Sequence, residues 1–225
     1  MFAMHGVFLE ELSIGEIKIE GREHQHLRVK RIKKGETLFF TDGRGNYGFG
    51  VLLGQDKKGS LVRIDKLEKS KRKKELYAGL SVIEQQRAEI AVEKLTELGI
   101  AGIFFFYSKR SEKRNLRKDR LNKIAVEAIK QSKNPFLPRI EILSSIEEVL
   151  ERFKSFKNKY FLDFGGEKFS DSVNTGVYLV GPEGGWTEKE KKIFEENSLK
   201  KIGLGENVLR AETAAISFAS FFMLS

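Results

Sequence analysis

Two segments near the end of the chain carry residue types and spacings that could do chemistry. The first is Gly181-Pro182-Glu183-Gly184-Gly185, and the second runs from Leu204-Gly205 through Val208-Leu209-Arg210 to Thr213. Glycines at 181, 184 and 185 permit positive φ and a close approach of bare backbone to a ligand. Pro182 fixes one φ and stiffens the turn, and Glu183 is a carboxylate held on it. A plain strand-to-helix turn needs fewer glycines, so this loop reads as ligand-binding. Val208 and Leu209 are apolar within a loop, which suits a flat aromatic ligand. Arg210 stands at a helix start, where the macrodipole favours acids. A cation there is paired, functional or simply solvated. Each segment lies between a strand end and a helix start. Together they point to one composite pocket at the carboxyl ends of neighbouring strands.

The elements that position these loops follow from periodicity. From Leu76 onward strands and helices alternate. Residues 76–83 read as a strand. Residues 86–98 read as a helix with Ala91, Leu95 and Leu98 on one face and Gly99 as its stop. The apolar run 100–107 is that of a strand buried on both faces. A helix over 116–132 turns Leu121, Ile124, Ala125, Ala128 and Ile129 inward. Strands are expected at 139–143, 160–164, 177–180 and 201–204, and a last helix at 211–224. Ser145 with Glu148 and Thr187 with Glu190 form capping-box patterns. Such alternation implies an α/β fold, a parallel sheet covered by helices on both faces. Residues 1–70 are mostly β, with strand character at 7–9, 16–19, 37–40, 47–53 and 61–64, and one short helix over 23–32. Turn signals at Lys34-Gly35, Asp42-Gly43 and Lys58-Gly59 separate the strands, suggesting a compact barrel. The basic run 66–75, KLEKSKRKKE, reads as a linker or an exposed strand edge.

Composition narrows the function. The net charge of +9, from 41 Lys+Arg against 32 Asp+Glu, favours a polyanionic partner, nucleic acid first. A Lys/Glu-rich, heat-adapted surface would also explain it. No apolar run is long enough for a membrane span, and the acidic start lacks a signal peptide's pattern. The absence of Cys excludes disulfides and Cys-ligated metal sites. A soluble, cytoplasmic protein is expected. Gly43-Arg44-Gly45-Asn46-Tyr47-Gly48 matches GxGxxG, but a strand follows it where a dinucleotide loop needs a helix, so it reads as a hairpin turn. No P-loop and no GxSxG elbow occur. His5, His24 and His26 are the only histidines. The last two have no convincing co-ligands, so no metal site is expected, and three histidines disfavour a Ser–His triad.

GPEGGWTEKE followed by LGENVLRAETAA closely resembles the closing signature of the RsmE family, methyltransferases of the SPOUT superfamily that act on N-3 of a uridine in bacterial small-subunit ribosomal RNA. HQHLRVKRIKKGETLFFTDGRG (24–45), VEKLTELGI (92–100), SKRSEKR (108–114) and VEAIKQSKNPFLPRIE (126–141) resemble the family's other blocks in the same order. The resemblance implies a PUA-like β-barrel for RNA over 1–70, then a SPOUT methyltransferase domain over 71–225 whose last segments form a trefoil knot. It implies a homodimer and S-adenosylmethionine as cofactor, held by three loops. The first would comprise Leu162, Asp163, Phe164 and Gly165. The second would comprise Gly181, Pro182, Glu183, Gly184 and Gly185, and the third Leu204, Gly205, Val208, Leu209, Arg210 and Thr213. Relatives often carry Pro or Glu in the first loop and LRTETA in the third, where this chain has Asp163-Phe164-Gly165 and Ala211.

Methylating N-3 of a uridine requires removal of its proton, hence a base or a cation that stabilises the uracil anion. Arg210 suits the second role, since an arginine stays charged at neutral pH. Glu183 is the nearest candidate base, or else it fixes the loop or orients Arg210. Arg28, Lys30, Arg31 and the basic segment 109–123 would contact phosphates. The rival readings are a SPOUT enzyme acting on another ribosomal or transfer RNA site, and a non-catalytic RNA-binding assembly factor.

Overall fold

A computed structural model describes residues 4–111, 114–170 and 172–224. It divides into two compact units: the chain up to Arg72 together with Val126–Leu137, and Lys73–Ala125 together with Pro138 onward.

The smaller unit contains β1 (His5–Phe8), β2 (Gly15–Ile19), α1 (Gly21–Val29), β3 (Thr37–Thr41), β4 (Asn46–Gln55) and β5 (Ser60–Lys69). These strands form a five-stranded sheet in the order β1-β3-β4-β5-β2. The β1–β3 pair is parallel and the rest are antiparallel. Alternation fixes the register: Ser60, Val62 and Ile64 are buried while Leu61, Arg63 and Asp65 face outward. Val62 and Ile64 join Val7, Leu27, Leu38 and Phe40 in one core. The GxGxxG segment makes the hairpin turn between β3 and β4 with Gly43–Gly45 and opens β4 with Asn46–Gly48, as its sequence context predicts. Asp42 Oδ1 accepts from the backbone N–H groups of Arg44 (2.7 Å) and Asn46 (3.2 Å), an Asx-type closure. Of the two readings of the basic run, linker or exposed strand edge, the first four residues meet the second: Lys66–Lys69 lie within β5 and pair with Phe49 to Asn46 of β4, beyond the reach of β2. His24 is buried, with Nδ1 2.8 Å from Ser60 Oγ, a packing role.

The larger unit holds β6 (Glu75–Ser81), α2 (Gln85–Glu97), β7 (Gly102–Phe106), α3 (Lys118–Ser132), β8 (Arg139–Leu143), α4 (Ile146–Phe153), β9 (Lys159–Lys168), β10 (Thr175–Val180), α5 (Glu188–Glu196), β11 (Lys200–Gly203) and α6 (Ala211–Leu224). Helix α3 begins in this unit; from Val126 its residues belong to the smaller one. The six strands are all parallel, in the order β11-β9-β10-β6-β7-β8. Phe104, Phe106, Val177 and Leu179 share one face with residues of α4 and α5. Tyr178 points to the other face. Its ring lies 4.6 Å from that of Phe218 of α6, and its hydroxyl donates to the Ala215 carbonyl at 2.9 Å. Helices thus cover both faces, as the strand–helix alternation implies. Thr187 and Glu190 make a complete capping box at α5. The Ser145–Glu148 pattern delivers only half of one. Ser145 Oγ accepts from Glu148 N, but the Glu148 carboxylate turns to the backbone and hydroxyl of Ser144, which offers two donors at 2.8 Å.

Burial drives the Tyr178 hydroxyl well above the ordinary tyrosine value, because the phenolate would be desolvated. The unfolded chain therefore ionises first. The stability this group contributes is complete below about pH 10 and declines above it. Tyr178→Phe should cost roughly 1 kcal/mol at neutral pH through the lost hydrogen bond. It should also make the alkaline fall of stability shallower by up to ~1.4 kcal/mol per pH unit. Denaturant titrations at neutral and alkaline pH check both; parallel pH profiles for the two proteins would contradict the assignment.

Candidate active site

The site is built where β10 and β11 end, on either side of β9. Residues 162–164 of β9 and the loops that leave β10 and β11 line one cleft of about 200 Å³. Leu162, Asp163 and Phe164 come from the first loop, Gly181, Pro182, Glu183 and Gly185 from the second, and Leu204, Gly205, Val208 and Leu209 from the third. Residues the sequence did not single out complete the lining, among them Val180, Trp186, Ile202 and Asn207. The apolar walls and bare backbone favour a ligand with a flat, partly apolar body and polar edges.

The first loop exists because β9 breaks its own pairing. Phe161 pairs with Lys201, but the next partners are Glu167 and Ile202. Residues 162–166 are thereby displaced from the β11 ladder, while Leu162 still pairs with Val180 of β10. Gly165 turns the chain at φ +68°. A Cβ at Gly166 would stand 2.4 Å from the Ile202 carbonyl carbon and 2.5 Å from Gly203 N. Asp163 is held by Lys191 at 3.1 Å and Lys201 at 3.6 Å. Asp163, and then Glu188, hold the Lys191 ammonium above its ordinary value.

Trp186 ties the first two loops together. Its indole N–H donates to the Leu162 carbonyl at 2.9 Å. The same ring lies over Gly181, where a Cβ would come within 3.0 Å of it. Glycine at 181 is thus favoured by close approach of the ring rather than by φ, since a Cβ there would press the indole aside by a few tenths of an ångström. The second loop is braced from outside as well. Arg110 Nη1 donates to the carbonyls of Gly184 (2.8 Å) and Trp186 (3.3 Å), and Lys109 N donates to Glu190 at 2.9 Å.

The charged candidates are placed differently from the loops. Glu183 forms an ion pair with Arg87 of α2, which also lies 3.8 Å from Glu84 and 4.0 Å from Glu212. Arg87 stands on the first turn of α2, against the macrodipole preference as Arg210 does, but no glycine-rich loop adjoins it in sequence. Arg210 is exposed at the start of α6 and makes no ion pair among the described residues. Neither it nor Thr213 lines the cleft, although Leu209 and Ala211 on either side of Arg210 do. Gly184 also lies outside it. It faces a second cleft, of about 310 Å³, that includes Arg87, Arg110 and Arg114 and shares Pro182 and Glu183 with the first.

In the smaller unit Arg28 and Arg31 line a shallow basic groove with Lys33, Lys34 and Gln55, and Lys30 is exposed nearby. Of the basic segment 109–123, Glu112 and Lys113 lie outside the described residues.

A family model for an RNA methyltransferase domain matches residues 70–223. Ribosomal RNA small subunit methyltransferase E of Helicobacter pylori is 31% identical over 91% of this chain and 92% of its own. The chain belongs to that family. The Borreliella burgdorferi protein named ribosomal RNA small subunit methyltransferase E 1 is 30% identical, over 89% of each chain. The Neisseria gonorrhoeae member, whose crystal structure is bound to S-adenosyl methionine, superposes with a TM-score of 0.88 at 24% identity, over 98% of this chain and 97% of its own. The family expected from the closing motifs is thus established, and the shared fold spans nearly the whole chain.

Gly166→Ala should lower stability by roughly 2–3 kcal/mol, because its Cβ would meet backbone that cannot swing aside. Thermal unfolding checks this; an unchanged Tm would show that the first loop is not locked against β11.

Proposed function

We propose that this chain transfers a methyl group from S-adenosylmethionine to N-3 of a uridine in small-subunit ribosomal RNA. The observation that carries the reading is the single cleft formed by all three loops in a chain of this family. Its residues fit the cofactor. At Gly185 and Gly205, φ is +67° and +115°, and nothing stands within 4 Å of where a Cβ would lie. Backbone there is bare to an adenine or ribose edge. Phe164, Val208 and Leu209 supply apolar walls for the adenine. Leu162 and Asp163 complete the first wall, Gly181, Pro182 and Gly185 the second, and Leu204 and Gly205 the third, while Gly165 turns the first loop without lining the cleft. When bound, the cofactor supplies a sulfonium methyl whose C–S bond breaks as the N–C bond forms.

The protein's part is to present an aligned N-3 without its proton. Arg210, flanked by two residues that line the cleft, stabilises the uracil anion at O2 or O4, so that water can accept the proton. Glu183 already has its carboxylate engaged by Arg87. That pairing favours a role in fixing the second loop over proton acceptance. Gly184 and Thr213 act through their own loops rather than as lining.

Residues 1–70 form a PUA-like barrel that binds RNA through Arg28, Lys30 and Arg31, and residues 71–225 form the SPOUT domain, with further phosphate contacts from its 109–123 segment. Two observations support the knot: β10 lies between β9 and β6, and after the edge strand β11 the chain returns as α6 to contact β6 and β10. A homodimer is supported by α6, apolar around its circumference yet leaving Phe221 and Leu224 60% and 77% exposed. Action on ribosomal RNA places the protein in the cytoplasm.

Mass-spectrometric mapping of small subunits from a strain lacking this gene, before and after treatment with protein and cofactor, tests the reading. One new N-3-methyluridine is expected; a methyl group elsewhere would favour another RNA site, and none an assembly factor. Arg210→Ala should lower the methylation rate by roughly 100-fold or more while cofactor affinity stays within about twofold of wild type. Wild-type turnover by this variant would remove Arg210 from the chemistry.

A further inference from the structure

The second cleft has no part in holding the cofactor as described above, yet it shares a wall with the cleft that does. Pro182 and Glu183 line both; beyond them the second cleft is bounded by Val82, Ile83, Glu84 and three arginines, Arg87, Arg110 and Arg114. The three cations are not equivalent. Arg87 is surrounded by carboxylates, paired with Glu183 and within 4.0 Å of both Glu84 and Glu212. Its charge is spent inside the protein. Glu212 is buried, with Oε1 4.0 Å from Arg87 Nε and Oε2 without a hydrogen-bond partner among the described residues. Arg110 differs. Its Nη1 donates to two carbonyls, and no carboxylate pairs with it among the described residues. Carbonyl dipoles orient a guanidinium without cancelling its charge, and the rest of the donor fork stays available for an anion. Arg114 lines the same cleft.

We infer that this cleft is a phosphodiester subsite for the RNA strand carrying the target nucleotide, with Arg110 and Arg114 as its ligands and Arg87 as a positioning residue. The inference rests on the methyl-transfer reading and adds the place where the strand is gripped. Arg87 acts by cancellation. Glu183 stands on the partition between the clefts, where a bare carboxylate would repel a phosphate, and Arg87 neutralises it. Because one turn of chain, 182–184, separates the two clefts, a phosphate gripped on one side sets the reach of its base toward the other. Arg110 also braces that turn through the Gly184 carbonyl, so strand binding and loop position are linked at a single side chain.

The test measures binding of unmethylated small ribosomal subunits as a function of salt, the KM for those subunits, and cofactor affinity, for the full-length protein. Arg110→Ala and Arg114→Ala should each weaken subunit binding roughly tenfold and reduce the salt slope by about one contact's worth, ~0.7. Arg114→Ala makes the test without removing the donor to loop 2, and cofactor affinity within about twofold of wild type certifies that loop in both variants. Arg87→Ala should also weaken subunit binding, and adding Glu183→Gln should restore most of it; neither change should restore binding to Arg110→Ala. Unchanged KM and salt slope in both Arg110→Ala and Arg114→Ala, with wild-type protein active, would overturn the subsite alone. Failure of Glu183→Gln to rescue Arg87→Ala would overturn the cancellation role. Wild-type protein that neither binds nor methylates these subunits would instead overturn the proposed function.

Discussion

The contact on which the site depends is the hydrogen bond from the Trp186 indole to the Leu162 carbonyl, made while the same ring lies on Gly181. One side chain thereby sets the separation of two loops that leave two different strands. The ring is itself held from behind. Phe106 stacks parallel to it at 6.3 Å, and Phe194 meets it edge-on at 4.7 Å. These are core residues of β7 and α5, so the rigidity of the core reaches the cleft through an aromatic stack. A loop positioned this way needs few hydrogen bonds of its own. Its backbone stays free for a ligand, which a glycine-rich loop without such support could not hold in one shape.

Charge is arranged around the same turn on a different principle. Binding an anionic polymer next to a carboxylate-bearing loop sets attraction against repulsion, and both scale with the local dielectric. The fold separates the two. Carboxylates from the second loop and from α6 converge on Arg87, while Arg110 is oriented by carbonyls and keeps its charge. The net basic charge of the chain is thus a poor guide to where an anion would sit. What matters is which cations are left without a carboxylate, and that is a property of tertiary placement.

This explains what the sequence could and could not reveal. The buried strands were legible because β7 and β10 are short apolar runs between turn signals, and the Thr187–Glu190 box because both partners lie within one turn. The hairpin at Gly43–Gly48 was legible because the residues after it have strand character. The Ser145–Glu148 pair failed because Ser144 competed for the same carboxylate, a choice no spacing rule encodes. Strand order was not legible at all, since an apolar run says that a strand is buried but not beside what. Arg87 and Trp186 were missed for a related reason, and so was the hold of Arg110 on the second loop, although the 109–123 segment that contains Arg110 reads as phosphate-binding. Each acts on residues far away in sequence: Arg87 on Glu183 and Glu212, Arg110 on Gly184, and Trp186 on Leu162.

Strand order also explains why the first loop is the irregular one. The first loop is a detour within β9 and the other two follow β10 and β11, and in space β9 lies between those two strands. Its carboxyl end is therefore flanked on both sides, by the end of β10 and by β11. A strand that simply continued there would fill the space that the neighbouring loops enclose. The chain instead leaves the β11 ladder after Phe161 and rejoins it at Glu167, with Leu162 still paired to Val180 of β10. The detour requires a reversal with positive φ at Gly165 and backbone contact at Gly166 against Ile202 and Gly203. Glycine at 166 is demanded by the neighbouring strand, and glycine at 165 by the turn itself. The cleft is the volume which that detour vacates, so its position is set by the parallel order of the sheet before any ligand-binding side chain is considered.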